Sequence, residues 1–171
     1  DSTITWPNVG ETVQIGSTNY DYRGDISTSG LYFQSASGTP TAAAAYKAGD
    51  GYVLWTPNAE NSSAVLTLHD ATITTASYAI LVYFHLSTGQ GYVTYKTINM
   101  ILEGTNIITA GSVSAIQFDS AIDDKSTAAA TDNLLIISGD GTLNVTNNRI
   151  NLPVALKCVN LQMEGGTIHL E

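Results

Sequence analysis

The acidic segment AIQFDSAIDDKSTAAATDN, residues 115–133, brings together side chains that could do chemistry. Asp119, Asp123 and Asp124 lie close in sequence, and clustered carboxylates can bind Ca²⁺ or act as a paired general acid and base on acidic polysaccharides. A uronate lyase also needs a basic group, and this half of the chain offers few: Lys96, Lys125, Arg149 and Lys157. Because acidic loops are usually only solvated surface, we favour a solvated loop with no cofactor, and Ca²⁺ binding is the alternative.

Aromatic side chains follow in the segments YAILVYFHL, residues 78–86, and GYVTY, residues 91–95. Tyr83, Tyr92 and Tyr95, with His85, are candidates for glycan binding, because exposed aromatic rings mark binding surfaces. In a strand, however, at most half of the side chains face outward. The alternative is that alternate residues of this run pack inward.

Gly139-Asp140-Gly141, within LLIISGDGTLNV at residues 134–145, resembles a metal-binding loop. A calcium loop of the EF-hand type needs several acids at alternating positions, and here only Asp140 is present. Glycine and aspartate also favour the backbone of tight turns. We therefore interpret the tripeptide as a corner between strands.

Two histidines and one cysteine complete the candidates. Apolar and polar residues alternate around His69 and around His169, which places both side chains on the outside of the fold, in different copies of the repeat described below. We therefore expect both to be surface residues with no third ligand nearby. Cys158, alone in the chain, excludes an internal disulfide and a CxxC motif and is expected to be a small apolar strand residue.

Composition excludes some partners and favours one domain. Fifteen acidic against six basic residues give a net charge of −9, which opposes binding to nucleic acid and to anionic membranes. No apolar run approaches the ~20 residues of a membrane span. The chain begins at Asp1 without a leader and ends in strand-like TIHLE, so we expect a trimmed chain with neighbouring domains.

A repeat appears when apolar pairs are aligned. Four stretches share an apolar-x-apolar pair, a turn rich in Gly or Asp, and an apolar residue at which a strand resumes after the turn, here called the resuming residue. They are LTLHDATI (66–73), MILEGTNII (100–108), LIISGDGTL (135–143) and LQMEGGTI (161–168). Their resuming residues, Ile73, Ile108, Leu143 and Ile168, are 35, 35 and 25 residues apart. A third element, Ala followed by Ile or Leu, recurs at Ala79, Ala115 and Ala155.

This period, combined with two-residue alternation, predicts an all-β fold, a single-stranded parallel β-helix of about three to four coils. Stacking would place Leu66, Met100 or Ile101, Leu135 or Ile136, and Leu161 above one another at about 4.8 Å. Extra length would collect in loops at 82–97, 119–133 and 146–153, and TAAAAYKA at 41–48 is expected to be a loop or short turn.

Residues 1–60 lack the repeat and read as short strands, so they predict an N-terminal β cap over coils at 61–171. The C-terminal coil would be cut short at Glu171.

In this order the elements resemble a family of cell-surface right-handed parallel β-helix domains from secreted proteins of gut-type Firmicutes and Bacteroidetes. The motifs that carry the resemblance are VQIGS (13–17), GLYF (30–33), GYVLW (51–55), LTLHDATI, MILEGTNII, LIISGDGTL and MEGGTI (163–168). The resemblance implies an extracellular or cell-surface location and assigns no catalytic residues. The segments at 82–97 and 119–133 are longer than is usual in the family.

The sequence thus favours a non-enzymatic bacterial surface module for adhesion, glycan binding or spacing, with a glycan or a host or bacterial surface component as partner. The alternative is a polysaccharide lyase or glycoside hydrolase with acids on the helix flank.

Overall fold

A computed structural model describes residues 13–15, 18–20, 31–34, 51–58, 62–74, 76, 78–88, 91–119 and 133–171. The described residues form an all-β structure without a helix, so none of them could span a membrane as a helix. The strands are β1 (Val13–Ile15), β2 (Thr18–Tyr20), β3 (Leu31–Gln34), β4 (Tyr52–Asn58), β5 (Ser63–His69), β6 (Thr72–Thr74), β7 (Ile80–Tyr83), β8 (His85–Thr88), β9 (Gly91–Thr94), β10 (Thr97–Glu103), β11 (Thr105–Ala110), β12 (Ser114–Asp119), β13 (Leu134–Gly139), β14 (Thr142–Asn147), β15 (Val154–Lys157), β16 (Asn160–Met163) and β17 (Thr167–Leu170).

Three sheets contain stacks of parallel strands. Sheet 1 has the order β15-β12-β7-β1-β2, sheet 2 has β16-β13-β10-β5-β4-β3, and sheet 3 has β17-β14-β11-β6. From β5 to β15 the chain visits sheets 2, 3 and 1 in that order three times, and β16 and β17 begin a fourth passage. We call each passage a round. All pairs between successive rounds are parallel, which confirms the predicted parallel strands and is compatible with a β-solenoid.

Antiparallel strands lie on one edge of two of these stacks. β4 pairs with β5 in sheet 2 and in turn with β3, while β1 pairs with β7 in sheet 1 and in turn with β2. These strands give the edges of β5 and β7 a backbone partner, so neither is an open edge.

The core lies between the three sheets. Burial alternates strictly along β10, because successive side chains of a strand point to opposite faces. One column of inward residues joins Leu66, Met100, Ile137 and Met163 in register. A second column joins Ala64, Ile98, Leu135 and Leu161.

These columns correct the predicted ladder in part. Leu66 does pair with Met100, but Leu135 and Leu161 belong to the neighbouring column, and Ile101 and Ile136 face outward. The apolar pair of the third repeat is shifted by two residues, because the position of Leu102 is occupied there by Gly139. Because glycine has no apolar side chain, the alignment of apolar pairs did not include this position.

The resuming strands show the same shift. Ile73 pairs with Ile108 as predicted, but Ile108 pairs with Val145, not with Leu143. Leu143 lies instead beside Asn106. Because Asn106 is polar, the alignment of apolar residues did not pair these two positions. The predicted alignment of the third element is confirmed, since Ile80, Ile116 and Leu156 pair in register.

Asn106 fixes the corner between sheets 2 and 3 from inside the core. It is fully buried, and its Oδ1 accepts a hydrogen bond from the Ala71 N–H at 2.9 Å. Its Nδ2 donates to the carbonyl oxygens of Glu103 and Thr142, each at 3.2 Å. One side chain therefore satisfies backbone groups of three successive rounds.

Asp70 and glycine shape the same corner in neighbouring rounds. Asp70 has a positive φ of 46°, and its Oδ1 accepts a hydrogen bond from the Thr105 N–H at 2.8 Å. The Asp70 carboxylate occupies the space that a Cβ at position 104 would need, which explains Gly104. Gly139 has a φ of 97°, and a Cβ there would overlap the Leu102 carbonyl oxygen. Gly139-Asp140-Gly141 is thus a corner between β13 and β14, as predicted.

Two predicted loops differ from expectation. The segment at 82–97 is not a loop throughout, because β8 and β9 pair within it as an antiparallel hairpin. The segment at 146–153 begins inside β14, which continues to Asn147. Residues 41–48 and most of 119–133 lie outside the described part of the chain.

In the fourth passage the inward columns are open to solvent. Leu161 and Met163 are 46% and 48% exposed, whereas their partners Leu135 and Ile137 are fully buried. The apolar column thus continues along the chain's last strands without a further round over it in the described residues.

Replacing Asn106 by Ala should lower the free energy of unfolding by about 2–4 kcal/mol, because backbone groups of three rounds each lose a hydrogen bond to a fully buried side chain. Urea denaturation would measure the loss. Asn144→Ala, on the outward face of β14, is the matched control and should cost less than about 1 kcal/mol. Equal losses for the two variants would contradict the role given to Asn106.

Replacing Gly139 by Ala should destabilise the chain by at least about 2 kcal/mol, because alanine at this positive φ is strained and its Cβ overlaps Leu102. Asp140→Ala should change stability by no more than about 0.5 kcal/mol, as expected for an exposed corner residue. Thermal unfolding of both variants, with and without Ca²⁺, separates a corner from a metal site. If Ca²⁺ raises the unfolding temperature of the native chain, and raises that of Asp140→Ala by less, a metal site at Asp140 is favoured.

Candidate functional site

Tyr95 is part of the core and not of a binding surface. It is 1% exposed, and its N–H donates to the Phe84 carbonyl oxygen at 2.7 Å. Phe84 is itself buried against Phe118, with ring centroids 6.4 Å apart. A ring enclosed in this way cannot stack on a sugar, so the structure removes Tyr95 from the predicted glycan-binding set. The alternative stated for this run, inward packing, applies to it.

The other predicted glycan-binding residues lie on described backbone. Tyr83 ends β7, His85 begins β8, and Tyr92 is in β9. Their side chains lie outside the described part of the structure. Their role in glycan binding stays a prediction.

Asp119 is the one member of the predicted calcium set that the structure describes. It ends β12, and its Oδ2 accepts a hydrogen bond from the Gln117 Nε2 at 2.7 Å. Asp123 and Asp124 lie outside the described residues. Within the described ranges, no three His, Cys, Asp or Glu side chains come together as a metal site.

A row of three functional side chains crosses the outward face of sheet 2. In register, Tyr52 of β4 lies beside His69 of β5, and His69 lies beside Glu103 of β10. The rings of Tyr52 and His69 are stacked, with centroids 4.9 Å apart and planes 10° apart. On the other side, His69 Nδ1 lies 3.0 Å from Glu103 Oε2. We call Tyr52, His69 and Glu103 the sheet 2 row.

The hydrogen bond in this row sets the imidazole tautomer. An ionised carboxylate only accepts hydrogen bonds, so Nδ1 of His69 must carry the proton that it shares with Glu103. The row therefore holds the imidazole ring in a fixed plane between a carboxylate and the Tyr52 ring.

Asp70 adds a second carboxylate beside the row. Its Oδ2 lies 3.6 Å from His69 Nε2, while its Oδ1 is occupied by the Thr105 N–H. The side chains of His69, Asp70 and Glu103 are 38%, 57% and 44% exposed. The corner residue thus also contributes negative charge to an accessible polar patch.

The row combines groups that recognise polar organic ligands. Tyr52 and His69 offer ring surface, and the carboxylates of Glu103 and Asp70 accept hydrogen bonds from hydroxyl groups. The row follows three neighbouring strands over about 10 Å. Such a length suits an extended ligand.

His69 lies on the surface, as predicted from the sequence, but the row was not predicted. The repeat contained a usable signal, because aligning LTLHDATI with MILEGTNII places His69 beside Glu103. Tyr52 could not be found in this way, because an antiparallel strand outside the repeat supplies it.

The remaining candidates lie apart from the row. His169 is exposed in β17 and pairs with Asn144 in sheet 3, so it is distant from His69, as expected. Cys158 packs partly against the core, and this burial raises the pKa of its thiol. A raised pKa leaves less reactive thiolate, which fits a small apolar residue.

Replacing any one residue of the sheet 2 row should leave the fold intact. Half-exposed ion pairs contribute at most about 1 kcal/mol, and aromatic ring pairs about 0.5–1.5 kcal/mol. We therefore expect Tyr52→Ala, His69→Ala and Glu103→Gln each to lower the free energy of unfolding by less than about 2 kcal/mol. A double-mutant cycle on His69 and Glu103, measured by urea denaturation, should give a coupling below about 1 kcal/mol. Loss of cooperative unfolding in these variants would contradict a surface position.

Comparison with protein-family models, with curated proteins and with solved structures found no match to this chain.

Proposed function

We propose that the chain is a non-enzymatic β-helix module that binds extended glycans at a cell surface through the sheet 2 row. In this proposal each round is one coil of a right-handed parallel β-helix, and the antiparallel strands β1 to β4 form its N-terminal cap. The module would serve adhesion in a larger extracellular protein.

The sequence of sheets supports the β-helix. Three rounds visit sheets 2, 3 and 1 in the same order, with parallel pairing in register between rounds. Inward columns of apolar residues follow from that pairing, as in stacked solenoid coils. The resemblance of the motifs to cell-surface β-helix domains supports the location.

The observation that carries glycan binding is the stacked Tyr52–His69 pair beside Glu103. Sugar recognition combines apolar ring surface with a few fixed polar groups, and the row has both. Its side chains are fixed by neighbours on adjacent strands, so little conformational entropy is lost on binding. Because the row lies across strands of a sheet, it favours a chain over a single small sugar.

Tyr52→Ala should weaken glycan binding at least about tenfold, because it removes the ring of the pair. A glycan array with the whole chain identifies the ligand, and titration calorimetry measures the affinity. His169→Ala is the matched control for His69→Ala, since it removes an exposed outward histidine of sheet 3. We expect the affinity of this control to stay within about twofold of the original chain.

Two results would contradict the proposal. One is equal binding by the original chain and by Tyr52→Ala, His69→Ala and Glu103→Gln, which would place the site elsewhere. The other is the release of new reducing ends or unsaturated uronates from a bound polysaccharide, which would show the alternative, an enzyme.

A further inference from the structure

The charges around the sheet 2 row determine which glycans it can accept. The carboxylates of Glu103 and Asp70 lie 3.0 and 3.6 Å from the two nitrogens of one imidazole, and both are well exposed. Any ligand that lies along the row therefore meets two negative groups within a few ångströms. Among the described residues, only His69 could offset them, and one imidazolium cannot neutralise both.

The described basic residues do not reach this patch. Lys96 precedes β10, whereas Glu103 ends it, so the two lie at opposite ends of a seven-residue strand, about 20 Å apart. Arg149 follows β14, and Lys157 ends β15 in sheet 1, so neither is on sheet 2. Within the described residues, no lysine or arginine supplies the positive charge that recognition of an acidic sugar requires.

We infer that the row selects uncharged glycans and rejects polysaccharides that carry carboxylate or sulfate groups. This inference rests on the proposed function and names its ligand class. The hydroxyl groups of a neutral sugar can donate to Glu103 and Asp70, whereas an acidic sugar brings a like charge to the same place. A carboxylate about 5 Å from each of the two acids would bind roughly tenfold more weakly in low salt.

The test compares each polysaccharide with its own charged form. A panel of soluble neutral polymers, including glucan, mannan and galactan, is measured beside the same polymers after oxidation of the C6 hydroxymethyl group to carboxylate. Affinity electrophoresis or calorimetry is run in EDTA at about pH 8, first in about 0.01 M salt and then in about 1 M salt.

We expect the bound neutral polymer to lose about tenfold or more in affinity on oxidation in low salt. The difference should shrink to about twofold in high salt, where the Debye length is about 3 Å. Glu103→Gln should reduce the difference by about threefold, because it removes one local charge and keeps a hydrogen-bond acceptor. Glu164→Gln removes an exposed carboxylate that lies two strands away from β10 in sheet 2 and is the control for net charge; it should change the difference by less than about twofold.

The outcomes separate the two proposals. If an oxidised polymer binds as well as its neutral parent, or better, in EDTA and low salt, charge selection is wrong and glycan binding stands. If Glu164→Gln changes the ratio of the affinities for neutral and oxidised polymer as much as Glu103→Gln does, the effect comes from the net charge of −9 and not from the row. That result also overturns the inference. If no polymer binds in either form, the proposed function and the inference of charge selection both fail.

Discussion

Backbone hydrogen bonds between successive rounds fix the register of all three sheets. Because parallel strands pair residue by residue, each side chain of one round lies directly over its counterpart in the next, and a slip of one residue would turn apolar side chains outward. The columns from Leu66 to Met163 and from Ala64 to Leu161 follow from this constraint. The sheet 2 row follows from the same register, because pairing between strands also aligns the side chains on the outward face of the sheet.

The register in turn depends on how the chain passes from sheet 2 to sheet 3. Here each round must turn sharply and still give its buried backbone groups a partner. The Asn106 side chain gives backbone groups of three rounds a hydrogen-bond partner, and the positive φ angles of Asp70 and Gly139 permit the turn. An apolar residue at position 106 could not satisfy these groups, so a polar side chain is buried there, whereas Asp70 and Gly139 lie exposed at the corner.

The same corner connects the fold to the proposed site. One oxygen of Asp70 holds the Thr105 N–H, and the other faces His69. The acidity of the patch is therefore partly a consequence of how the corner is built. Tyr52 comes from a different source, the antiparallel strand β4, so the row joins the N-terminal strands to the first two rounds. A glycan bound along the row would contact both parts of the chain.

The all-β class, the parallel strands, the repeat and the corner at Gly139-Asp140-Gly141 could be predicted from the sequence, because strands and tight turns each require a local pattern of apolar residues or glycine. The sequence pattern also placed Ile80 with Ile116 correctly, since both positions are apolar. The register of the third repeat became visible only in the tertiary structure, because Gly139 lies in register with Leu102 and Leu143 lies in register with Asn106, and an alignment of apolar residues includes neither Gly139 nor Asn106. The tertiary structure also decided that Tyr95 is buried and that Tyr52, His69 and Glu103 form one row. Burial and contacts between distant strands depend on which segments pair, and β4 pairs in the antiparallel sense outside the repeat.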